Sequence, residues 1–101
     1  MSEKNALAVP KVAVRDAKSF EVLRVWIAEH DQHVSLALGV WQDPAAWGIL
    51  LADLARHIVR GHGQQTGGKD FDAEQFLERL RDGFDAEFDE PTDEPEGGIV
   101  H

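Results

Sequence analysis

Asp53 and His57 stand four residues apart, the spacing at which a carboxylate and an imidazole on one helix face can share a metal ion, and His62 follows close behind. Two ligands do not define a site. The sequence has no HExxH pattern, no cysteine and no second carboxylate–histidine pair to complete a coordination shell. The pair therefore reads first as a surface ion pair or a histidine near a helix end, and no metal or other cofactor is expected. His30 and His33 flank a turn, where solvated histidine is ordinary. Hydrolytic chemistry has no better footing, since Ser2, Ser19 and Ser35 all lie outside a GxSxG context. Residues 62–69, HGQQTGGK, carry the glycines and lysine of a phosphate loop without its GxxxxGK spacing, and Asp70 stands where the loop needs a hydroxyl. No catalytic residue is assigned, and the chain reads as a non-enzyme.

The three tryptophans are more informative. Trp26, Trp41 and Trp47, with Phe20 and Val22, form the candidate set for an interface or a pocket, because aromatic side chains dominate the energetics of both. A core layer or subunit contact is the first reading of this set. The alternative is a Trp-lined small-molecule or metal pocket that would also take in Asp53 and His57.

The elements that must position these residues follow from hydrophobic period and end signals. Residues 1–19 read as an extended arm around Pro10. Residues 20–28, FEVLRVWIA, are rich in β-branched and aromatic types and read as a strand apolar on both sides. Residues 33–41 alternate strictly, placing Val34, Leu36, Leu38 and Val40 on one face. A short connection around residues 30–32 makes the two runs an antiparallel hairpin, with Leu23, Val25 and Ile27 sharing the Val34 face. Asp43-Pro44 then opens a helix with stripe residues Trp47, Leu50, Leu51, Leu54 and Ile58, which Gly61 is expected to end as a left-handed cap. Residues 62–70 read as a flexible linker. Asp72 begins a second helix, with Gln75 placed for a capping box, Phe71 and Phe76 for a hydrophobic staple, and a stripe running through Phe84 to Phe88. Residues 89–101 read as a disordered acidic tail.

The charge is uneven. Of the net −9, residues 1–69 contribute +1 and residues 70–101 contribute −10. Such a field opposes a polyanion, so nucleic acid is excluded as a partner, while a basic protein could meet the acidic end. No segment approaches the roughly 20 apolar residues of a membrane span. With no cysteine and no signal-like start, cytoplasmic residence is the expectation.

Residues 33–58, HVSLALGVWQDPAAWGILLADLARHI, resemble the signature stretch of a family of small bacterial proteins known only as a domain of unknown function, and residues 82–97 resemble that family's acidic end. The resemblance implies a small cytoplasmic domain and brings no catalytic residue, substrate or cofactor with it. The residues themselves predict one α+β domain over 1–88: an antiparallel β-hairpin or small sheet packed by one or two helices, followed by the acidic tail. A hairpin apolar on both faces with few helices to cover it favours self-association, most simply as a homodimer. The expected function is a non-enzymatic protein-interaction module.

Overall fold

The computed structural model describes residues 5–92 and the backbone of residues 99–100. Contacts divide the chain into two compact units. One extends to Ala37 and takes in the last residues; the other runs from Leu38 to Glu96.

The first unit is built on a hairpin. Strand β1, Leu23–Ala28, pairs antiparallel with β2, Asp31–Leu36, and the register sets Val25 opposite Val34 and Leu23 opposite Leu36. Leu23, Val25 and Ile27 therefore share a face with Val34 and Leu36, as the alternation predicts. A further bond from the Ala37 amide to the Val22 carbonyl extends the pairing by one step. A third strand, β3, Ile99–Val100, runs parallel to β2 on its far side, giving the sheet order β1-β2-β3.

The turn is tighter than expected. Its two central residues are Glu29 and His30, both with positive φ, 53° and 68°, which is the backbone that a two-residue hairpin of primed type requires. Neither residue type favours that region, so the turn stores strain that Asn-Gly would not. Replacing Glu29 with Asn together with His30 with Gly is expected to stabilise the hairpin by about 1 kcal/mol, read as slower amide exchange across residues 23–36. Unchanged or faster exchange would show that this turn is not the one in solution.

The arm ahead of the hairpin is not wholly extended. Pro10, with φ fixed at −57°, leads into a short helix α1, Lys11–Arg15. The chain leaves it through Asp16, whose carboxylate accepts from the Lys18 amide, and the Ser19 hydroxyl donates back to the Ala13 carbonyl. These local side-chain bonds give the backbone an alternative to extension that hydropathy does not register.

The second unit is a pair of helices. Asp43 caps α2, Pro44–Gln65, by accepting from the Ala45 amide, and Pro44 takes the first helical position. Asp72 caps α3, Ala73–Asp89, by accepting from the Gln75 amide, and the Phe71 and Phe76 rings meet at 5.6 Å, closing the staple. Both helix starts lie where the end signals place them.

The end of α2 differs from expectation. Gly61 is helical, and α2 continues through residues 62–65, which the sequence reading assigned to the linker. Termination falls instead on Gly67 and Gly68, with φ of 70° and 77°. The Gly68 amide bonds the Gly63 carbonyl and the Gly67 amide bonds that of Gln64, the two bonds of a Schellman end. Two left-handed glycines close the helix better than one.

Strand β2 also departs from its expected span. It begins at Asp31 and ends at Leu36, two residues before the chain turns at Leu38-Gly39, so Trp41 lies outside the sheet. With the turn at Glu29-His30, Asp31 and Gln32 are drawn into pairing with Ala28 and Ile27, which moves the strand toward its start. The α+β class holds, as an antiparallel pair plus helices. The expected tail begins one residue early, since α3 runs through Asp89; residues 93–98 and 101 lie outside the described residues.

Candidate functional site

Asp53 and His57 lie on α2, both exposed to solvent. Among the described residues, no group of three or more His, Asp or Glu side chains gathers where it could hold an ion. The tryptophans divide between the two units. Trp41 and Trp47 meet edge to face at 5.1 Å, Trp47 standing in the first turn of α2. Trp26 is on β1, half-buried and opposite His33. Val22 is half-buried, whereas Phe20 is 63% exposed.

The joint between α2 and α3 is aromatic. The His62 ring lies 4.8 Å from Phe76, which also contacts Phe71. Phe71 in turn packs against the backbone at Gly63: a Cβ there would sit 3.2 Å from two of its ring carbons. Gly63 is thus a position of close approach. Sequence reading missed it, although Gly63 eight residues before the staple Phe71 is the visible signal. Beside the joint opens a cleft of about 590 Å³, walled by Ile58, Phe71, Phe76 and Leu80, with Gln75 and Arg79 among its polar lining. Its volume falls in the range of ligand pockets, but its polar residues are all solvent-exposed rather than convergent. A second cleft of about 450 Å³ follows the acidic flank of α3 through Glu74, Glu78, Asp82 and Asp85. Neither cleft is lined by a tryptophan.

Large apolar side chains are exposed on both units. Among the described residues none is fully buried. On the hairpin, Val25 is 46% and Ile27 71% exposed. These two stand on the face opposite Trp26, so the more open side of β1 is the one it shares with Val34 and Leu36. Beyond the α2–α3 joint, Leu51 on α2 and Phe84 and Phe88 on α3 are exposed as well, and Ile58 is 48% exposed in the wall of the first cleft. The Phe84 and Phe88 rings contact each other at 5.0 Å. No helix among the described residues is long and apolar enough to cross a membrane.

Comparison with known proteins places these features in a family context. The family model of DUF5076, a domain of unknown function, matches residues 6–92 and so spans both units. A solved structure from the photosynthetic bacterium Rhodopseudomonas palustrus CGA009, described as "a putative pyruvate dehydrogenase", is 28% identical. It aligns over 87% of this chain and 87% of its own, with a TM-score of 0.65. No curated protein matches the sequence.

Proposed function

The chain belongs to the domain-of-unknown-function family DUF5076, and we infer that it acts as a non-enzymatic interaction module that self-associates as a homodimer. The observation that carries this reading is the absence of any fully buried side chain among the described residues, while large apolar groups are exposed on both units. Exposed apolar surface on this scale marks association, and in an obligate dimer the stability of the fold is inseparable from that of the assembly. The activity in the name of the Rhodopseudomonas structure is not what supports the reading; the surfaces of this chain are.

The acidic third supplies a second contact chemistry. Glu74, Glu78, Asp82 and Asp85 are exposed along one flank of α3, which suits a basic protein and repels a polyanion. The absence of cysteine accords with action in the cytoplasm. The alternative of a Trp-lined pocket has less behind it: Trp41 and Trp47 occupy each other's edges and faces rather than a cavity.

Sedimentation equilibrium of the full chain at tens of micromolar, an order of magnitude that reaches weak interfaces, is the test. A dimer is expected, with melting temperature rising with protein concentration. A monomer throughout that range, melting at one temperature, would refute the reading.

A further inference from the structure

On α3 the half-buried residues are Phe76, Leu77 and Leu80, all in its first half, whereas on α2 they run the length of the helix, from Trp47 through Leu50 and Leu54 to Gly63. Farther along α3 its apolar stripe continues into water, with Phe84 and Phe88 at 49% and 73% exposure, and on α2 Leu51, at 47%, is exposed beside the half-buried row. The seam along α3 is thus made at its start and open at its end.

We propose that the open seam is filled by a second copy of this chain, the Phe84–Phe88 half of α3 lying against the Leu51 half of α2 in the partner, and reciprocally. This rests on the self-association argued above and names its surface. Area and charge support it. At roughly 150–250 Å² for an aromatic side chain and somewhat less for Leu, the exposed parts of Leu51, Phe84 and Phe88 leave about 300 Å² of apolar surface per copy. The half-buried Trp47, Leu54 and Leu80 add to it. A standard interface takes about 800 Å² per partner, some two-thirds of it apolar in homodimers.

Charge selects which helix meets which. The last turns of α3 carry Asp85, Glu87 and Asp89 and no cation, at the negative end of the helix dipole, where acids are unfavourable. The first turn of α2 is the positive end of its dipole and carries no acid beyond the capping Asp43. Packing α3 on the partner's α2 brings these ends together, whereas α3 on α3 would double the acidic field.

The chain has no cysteine, so single thiols report the contact directly. Leu51→Cys chains mixed with Phe88→Cys chains are expected to form a covalent heterodimer on mild oxidation, in preference to either chain with itself. In the otherwise native chain, Phe84→Glu with Phe88→Glu should raise the dimer dissociation constant by roughly 30-fold or more, with helix content by circular dichroism retained. Preferential Phe88→Cys self-cross-linking would overturn the proposed pairing in favour of α3 on α3. A wild-type dimer with no Leu51–Phe88 cross-link would overturn it in favour of another surface, such as Val25 and Ile27 of the hairpin. A wild-type monomer would overturn self-association itself, leaving the seam to the chain's own residues.

Discussion

Phe76→Ala is expected to cost about 2–3 kcal/mol of stability in the helical unit, somewhat less than the ~3–5 kcal/mol of a fully buried phenylalanine because part of the ring already faces water. The size of the effect follows from how many elements one side chain joins. Phe76 staples the start of α3 through Phe71, contacts His62 on α2, and forms a wall of the adjoining cleft. Aromatic pairs of this geometry contribute about 0.5–1.5 kcal/mol beyond the area they bury. Removing the ring takes away both pairs at once and leaves Phe71 without its staple partner. Urea denaturation followed by far-ultraviolet circular dichroism gives the measurement, and a loss of that size is a large share of the stability of a small domain. A loss under about 1 kcal/mol, no greater than an ordinary surface substitution can reach, would mean that the two helices are held together elsewhere.

Gly63→Ile should destabilise the same joint by about 2 kcal/mol, while Gly61→Ala two positions away should stabilise by about 0.5–1 kcal/mol. Both glycines are inside α2, where glycine is unfavourable relative to alanine. They differ in what a side chain would meet. At Gly61 an added Cβ finds open space, but at Gly63 it meets the Phe71 ring at 3.2 Å. A branched side chain there must push Phe71 off the helix and, through the staple, shift the start of α3. The opposite signs make the pair self-controlling, because helix propensity alone predicts stabilisation at both sites. If both substitutions stabilise, Phe71 does not rest on Gly63.

The chain belongs to a domain-of-unknown-function family, as the resemblance implied, and local chemistry placed the helix starts. Asp43-Pro44 and the Phe71-Asp72-Gln75-Phe76 signature each satisfy backbone amides within one turn, so nothing distant is needed to choose them. The shared hairpin face was legible for a related reason: with a side-chain period of two, any even shift of the pairing keeps Leu23 and Val25 on the face of Leu36 and Val34, while the turn at Glu29-His30 sets the register itself.

By itself, then, the sequence determined the α+β class, the caps and the shared hairpin face, because these rest on interactions a few residues long or on a strict alternation. Tertiary structure alone decided where several elements stop. Glu29 and His30 take positive φ because two strands must be joined in two residues, against the preference of either side chain. Gly61 stays helical while Gly67 and Gly68 turn, because only the latter pair closes both carbonyl bonds at the end of α2. It also decided which apolar residues remain in water. A stripe such as Leu80, Phe84 and Phe88 looks alike along its whole length in sequence, and only the point at which two helices meet separates its packed end from its open one.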